Sequence, residues 1–406
     1  MDKYYWFYIL KSVYFAIKEN VLLYDTIKNR HMVISESFMK PVFRNLLDIS
    51  NMGVVMISSM IANSEPVKKI TESGLGVVVD TYLHPDRPVI LPLTQTVNLD
   101  YDRIGNGTLS RHFIDRDLAR YLLEFSIIQK IDTQSRCSGY FLNDSLFHHC
   151  QGMQKISLST VHSVINQMRY FPLTRVRIIT DQMSKECLSD IKAIIDIIIM
   201  ANKQPVVCIN IESDLKDEIT DLYDVEIEFT VDSFDNPERL RNMIKCHHYD
   251  NNRIKFVIRN DDDYSMVLDL IEEFGIGNYE ICPFLDGSNR DYISDLLRQE
   301  PEEVFARPIS MKEIFRNSKL NSNIFGQMTM LPSGDILTDS FSPTVGNVRE
   351  VRILDCIKKA VSSNDRWRRT RQYSRCKRCL LQYLCPPPSA FENLLELSSR
   401  CNCFME

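Results

Sequence analysis

The start of the chain alternates short apolar runs with tight polar turns. "YYWFYIL", "YFAIKEN", "VLLYDT" and "RHMVIS", the last after a turn around Lys28 and Asn29, read as strands of a small β-meander. An apolar-periodic helix "ESFMKPVFRNLLDI", a strand "GVVMISS" and a polar helix "EPVKKITESG" follow. Together they predict an N-terminal α+β module over residues 1–95.

From about residue 120 the pattern becomes a strict strand–helix alternation. The strands are "LLEFSIIQKI", "RVRIIT", "PVVCINI", "VEIEFTV", "RIKFVIR" and "YEICPFL". Between them lie the helices "LSTVHSVINQMRY", "CLSDIKAIIDIIIMAN", "SDLKDEITDLY", "PERLRNMIKCHH" and "DYSMVLDLIEEFG". Apolar β-branched runs separated by helices favour a parallel sheet covered on both faces. Six such units are fewer than a closed eightfold barrel needs, so the fold class expected is α/β, with an open partial (β/α)6 barrel over 96–305. After "RDYISDLLRQE" the rhythm breaks: a hairpin "GQMTMLPSGDILTDS" turning at Ser333 and Gly334, a helix "REVRILDCIKKAV", and a cysteine-rich region make up 306–406.

Composition adds exclusions. A net charge of −6 and a pI near 5.8 give no global basic field for nucleic acid. The aromatic start is broken by Lys11 and Lys18 and lacks a small-residue cleavage site, so it reads as a strand and not a signal peptide. "IKAIIDIIIM" carries Lys192 and Asp196 and is far shorter than the roughly 18 apolar residues of a membrane span. A soluble, cytoplasmic protein is expected.

Among 12 cysteines, Cys137, Cys150, Cys187, Cys208, Cys246, Cys282 and Cys356 are scattered, several in apolar patterns, and read as small buried hydrophobes. Cys376, Cys379, Cys385, Cys401 and Cys403 crowd the end of the chain. Cys376, Cys379 and Cys385 stand at C-x2-C-x5-C, a spacing that lets thiolates share one centre, with Cys401 or Cys403 as the fourth ligand. Spacing alone allows Zn2+ or an iron–sulfur cluster. "HHC" at 148–150 is too short a segment to converge on one metal, "DDDYSM" at 261–266 reads as a helix N-terminus, and "GIGNY" lacks phosphate-loop spacing.

The segment "PSGDILTDSFSPTVGN", then a helix, then "CKRCLLQYLC", resembles the SPASM domain of radical SAM peptide-modifying enzymes. That resemblance implies one auxiliary [4Fe-4S] cluster in the tail. The family's ligands for a second cluster fall near Asp339 or Ser340 and at Ser389, so only one is implied. Upstream the chain departs from the family. Where the catalytic C-x3-C-x2-C belongs, "DTQSRCSGYFLND" keeps Cys137 but places Phe141 and Asp144 at the other two positions, and "RIITDQ" replaces the Gly-Gly-Glu type stretch that contacts S-adenosylmethionine. The combination resembles the pseudo-radical-SAM, SPASM-tailed proteins found beside GG-leader ribosomal-peptide precursors in Bacteroidales. It implies no S-adenosylmethionine, no catalytic residues of that chemistry, and an accessory role in peptide maturation.

The partners so implied are a precursor peptide and an active radical SAM maturase. The N-terminal module is also similar to leader-peptide recognition elements, which add the peptide as a strand at a sheet edge; "VLLYDTIKNRHMVIS", with Tyr24, and the helix after it would form that edge and groove. "RWRRTRQYSRCKR" is a local basic strip in which Arg368, Arg369 and Arg371 could meet an acidic partner, offset the charge of a cluster, or simply be solvated. An electron-transfer subunit using the tail cluster, and a non-radical enzyme acting on the peptide, are the alternative readings.

Overall fold

The alternation at the start of the chain resolves into two antiparallel sheets instead of one meander. The computed structural model describes residues 3–90, 111–130, 140–141, 155–180, 185–211, 225–245, 252–297, 300–339, 343–363, 365–372, 374–389, 391–392 and 395. Strands β1 (Tyr4–Ile9), β2 (Val13–Ile17), β3 (Val21–Asp25) and β4 (Arg30–Ile34) follow one another, with β5 (Val54–Ser58) and β6 (Gly76–Asp80) further on. One sheet has the order β5-β1-β6 and the other β2-β3-β4. The sequence reading did not include β6. Its glycine is the reason it fits: a Cβ at Gly76 would lie 2.8 Å from Ile70 and 3.0 Å from the Tyr8 carbonyl, so only glycine lets the strand close on β1.

Strands β2 and β3 are buried on both faces. Because side chains alternate across a strand, Val13, Phe15, Val21 and Leu23 turn toward Phe7 and Phe43, the latter on the helix Met39–Leu47. The Phe15 and Phe43 rings lie 5.1 Å apart. Tyr14, Ala16, Leu22 and Tyr24 turn the other way, onto Ile309, Ile314, Leu381 and Leu384 near the far end of the chain. β3 is therefore a central strand, and the expectation that "VLLYD" offers an edge is corrected. The edges of this sheet are β2 and β4.

The second part is a large, mostly parallel sheet within a mixed α/β fold. Its strands are β7 (Glu124–Lys130), β8 (Tyr140–Phe141), β9 (Arg175–Thr180), β10 (Gln204–Asn210), β11 (Glu226–Val231), β12 (Arg253–Ile258), β13 (Tyr279–Leu285), β14 (Gln327–Met330), β15 (Asp335–Leu337) and β16 (Gly346–Asn347). The order is β16-β15-β14-β7-β9-β10-β11-β12-β13-β8. The hairpin β14–β15 turns where expected, with Gly334 at φ +89°, but it does not stand apart from the sheet. β14 pairs in parallel with β7, Gln327 opposite Glu124, and Met328 and Met330 join the main core.

One face of this sheet packs Ile127, Val176, Ile178, Ile227, Phe229 and Phe256 against helices that include Lys185–Met200. The helix Asp261–Phe274 starts at Asn260, whose Oδ1 accepts from Asp263 N at 2.8 Å, so the acidic run is an N-terminus as expected. Gly275 of "GIGNY" ends that helix at φ +61°. Cys187, Cys208, Cys282 and Cys356 are buried, as their apolar context predicts. The expected helix "SDLKDEITDLY" and the segments holding Cys137, Asp144, His148, His149, Cys150 and Cys246 lie outside the described residues. Among the described residues no helix is long and apolar enough to cross a membrane.

The opposite face carries a ladder of charges near the strand starts. Arg177 of β9 reaches Glu124 of β7 at 3.0 Å and also bonds Glu228 of β11, across the small Val206 of β10. Arg253 of β12 meets Glu280 of β13 at 2.8 Å. Only 6% of the Glu228 side chain is exposed, so its carboxylate depends mainly on Arg177, with Arg253 4.0 Å from its other oxygen. Arg177→Met would strand that buried charge, and chemical denaturation should show a loss of about 3 kcal/mol. Glu228→Gln in the same background should recover part of it.

Candidate metal centre and peptide groove

The segment bearing the tail thiols is a compact knot of turns after a short helix, Ser374–Arg378. Cys379 N donates to the Cys376 carbonyl at 3.1 Å and Cys385 N to the Leu381 carbonyl at 3.0 Å. Between the cysteines, Leu380, Leu381 and Leu384 plug the core, and this fixes the backbone that carries the sulfurs. Cys376, Cys379 and Cys385 are all buried and none is in a disulfide.

The prolines that close the motif are held by asparagines. Proline supplies a carbonyl but no N–H, so its acceptor needs a donor from elsewhere. Asn321 Nδ2 donates to the Pro388 carbonyl at 2.9 Å, Asn323 Nδ2 to that of Pro387 at 3.3 Å, and Asn317 Nδ2 to that of Cys385 at 3.3 Å. These clamps escaped the sequence reading; the "NSKLNSN" run across the end of the helix Met311–Lys319 is their only local signal.

Two cations lie beside the thiols. Arg371 forks onto Glu392 at 2.8 and 3.0 Å and donates from Nε to the Pro386 carbonyl. Burial opposes its charge, but Glu392 and then Cys385 outweigh that and raise its pKa above the ordinary guanidinium value. Lys18, at the end of β2, donates to the Lys377 carbonyl at 2.6 Å and to Gln382 Oε1 at 2.8 Å. Burial lowers its pKa, against an opposing contribution from Cys379.

The donor set therefore suits a thiolate-bound metal in its chemistry: three sheltered soft ligands within one segment, with positive charge at hand to balance them. Among the described residues, Cys376, Cys379 and Cys385 included, no three His, Cys, Asp or Glu side chains gather closely enough to hold an ion. Cys401 and Cys403 lie outside those residues. The places where the resemblance would put second-cluster ligands are occupied by polar groups already engaged. Asp339 pairs with Arg369 at 3.3 Å, and Ser389 shares a reciprocal pair of bonds with Glu392; Ser340 is outside the described residues.

The basic strip divides by role. Arg371 turns inward, as described, and Arg366 is buried on the Pro343 carbonyl. Trp367, between the arginines, is a core residue with no exposure, its Nε1 donating to the Gln327 carbonyl at 3.1 Å. Arg368 and Arg369 instead line a cavity.

Tyr24, expected at a peptide-facing edge, is fully buried. Its hydroxyl accepts from Ile309 N at 2.8 Å and donates to Asn29 Oδ1 at 2.7 Å. Asn29, at φ +50° in the β3–β4 turn, passes the link on by donating from Nδ2 to the Phe305 carbonyl. His31 of β4 stacks on the Phe305 ring at 3.9 Å. Tyr24 is thus a clasp inside the chain and offers no open surface. A cavity of about 530 Å³ runs along the β2 edge, lined by Phe15, Ile17, Leu47, Met311, Phe315 and Tyr383 among others.

No family model matches the chain, and no curated protein does. Solved structures to which it is similar include Streptococcus suis SuiB bound to S-adenosylmethionine, at 13% identity and a TM-score of 0.45, over 98% of this chain and 99% of that one. They also include anSMEcpe with bound AdoMet, at 10% identity and a TM-score of 0.41, over 64% and 88% of the two chains. The anSMEcpe complex with AdoMet and the Cp18Cys peptide stands at 11% and 0.42, over the same shares.

Tyr24→Phe keeps the ring but leaves the buried Ile309 N–H without its acceptor. A loss of about 1–3 kcal/mol in thermal or chemical unfolding is expected, together with faster proteolysis near residues 300–310. Unchanged protection of that segment would overturn the clasp.

Proposed function

We propose that this chain is a catalytically inactive, radical-SAM-like accessory protein in the maturation of a ribosomally made peptide. In this reading residues 96–305 form a degenerate partial barrel without the S-adenosylmethionine cluster, and 306–406 a SPASM-like region with one [4Fe-4S] cluster. Cys376, Cys379 and Cys385, with Cys401 or Cys403, would hold that cluster, whose contribution when bound is to brace the tail or pass an electron. The chain would act in the cytoplasm beside an active radical SAM maturase.

The observation that carries the reading is that the knot bearing the thiols also forms one wall of the cavity beside β2. Gln382 and Tyr383, inside the C-x2-C-x5-C motif, line it together with Tyr14 to Lys18. A peptide added along the β2 edge would gain main-chain hydrogen bonds from the strand and side-chain pockets from Phe15, Leu47 and Phe315. Folding of the metal knot and shaping of the peptide groove are then one event. Lys18 holds the two together by its bonds to the Lys377 carbonyl and Gln382.

Iron, zinc and acid-labile sulfide on protein purified without oxygen test this reading, with 5′-deoxyadenosine formation from S-adenosylmethionine assayed under reducing conditions. About four irons with matching sulfide and no S-adenosylmethionine cleavage are expected. More iron than one cluster accounts for, with cleavage, would overturn the inactive barrel. Zinc in place of iron would remove the cluster and leave the peptide-binding role. Cys379→Ser should lose the metal and unfold at least the tail, since structural thiolate sites can contribute on the order of 10 kcal/mol of apparent folding energy.

A further inference from the structure

A second cavity, of about 680 Å³, adjoins the first, and Ser318 and Lys319 line both. Among the described residues its walls carry Lys319, Arg368, Arg369 and Lys377 against a single carboxylate, Asp365. That carboxylate is drawn off by other partners: Oδ1 accepts from the Ser363 hydroxyl and lies 3.9 Å from Arg366 Nε. Arg369 is held from behind by Asp339 at 3.3 Å, while its buried Nε has no hydrogen-bond partner.

The two cavities share a wall at Ser318 and Lys319, the first lined largely by apolar side chains beside β2 and the second by cations. We propose that the second cavity is a carboxylate-binding subsite, taking Asp or Glu side chains of a peptide whose apolar residues occupy the first. The inference rests on the reading of the chain as a peptide-binding protein and names the kind of peptide. A planar guanidinium matches a carboxylate in two-pronged fashion, and lysines at the rim add attraction over distance. An occupant that is apolar along one stretch and acidic along the next fills both cavities, whereas a lone anion would leave the apolar one empty.

The test uses the full chain, two synthetic peptides and fluorescence anisotropy. One peptide joins a Leu/Phe-rich stretch to three glutamates; the other carries glutamines in their place. The glutamate peptide is expected to bind roughly tenfold more tightly, with a preference that shrinks as salt rises. In the variant K377E the preference should fall sharply while the glutamine peptide binds as before, since Lys377 lines only the second cavity. The Lys377 side chain is exposed and outside the apolar cores, so the variant should fold, which its melting curve checks. Should the chain fold be disturbed, Arg368→Gln provides the same comparison. Equal binding of both peptides would overturn the subsite and leave the peptide reading standing. Binding of neither would overturn both, and competition by inorganic phosphate without any peptide binding would mark a simple anion site instead.

Discussion

The structure turns on a sheet that has to be buried twice. Strands β2 and β3 place apolar side chains on both faces, and the N-terminal module covers only one of them, with Phe7 and Phe43. The other face, Tyr14, Ala16, Leu22 and Tyr24, is completed by the helix Met311–Lys319 and by the leucines between the tail cysteines. At roughly 25 cal/mol per Å² of apolar surface, an uncovered face of this kind is a strong demand for a partner. The chain meets it with its own far end, and the polar links from Lys18, Tyr24 and Asn29 give the contact a fixed register.

From that contact follows the position of everything with chemical interest. The thiols are buried because the leucines between them are needed as core. The cavity beside β2 lies where that strand meets the helix Met311–Lys319 and the Gln382–Tyr383 segment. The basic strip divides because Trp367 must enter the main core beneath Phe325, at 5.4 Å between rings, which sends Arg366 and Arg371 inward and leaves Arg368 and Arg369 facing the cavity.

Much of the layout was legible in the chain. Parallel strands announce themselves by apolar β-branched runs, and the caps at Asn260 and Gly275 follow from local chemistry alone. What could not be read was which strand lay beside which. β14 has the look of an isolated hairpin strand, yet it sits in parallel against β7, a pairing decided by tertiary packing of Met328 and Met330. Tyr24 had the composition of a binding-edge residue, and its hydroxyl found a partner 285 positions away. The asparagine clamps at 317, 321 and 323 were invisible for the same reason, since their acceptors, the carbonyls of Cys385, Pro388 and Pro387, are distant in sequence.

The Lys18–Gln382 bond joins residues 364 apart. On a ribosome adding 5–20 residues per second, the exposed face of the β2–β3 sheet would wait roughly 20 to 70 s for the segment that covers it. During that interval a nascent chain carries a naked aromatic and aliphatic surface with an edge strand at its side, the combination that invites association with other chains. Yield in a heterologous host should therefore depend on translation speed and on holding chaperones more than on the final stability of the folded protein.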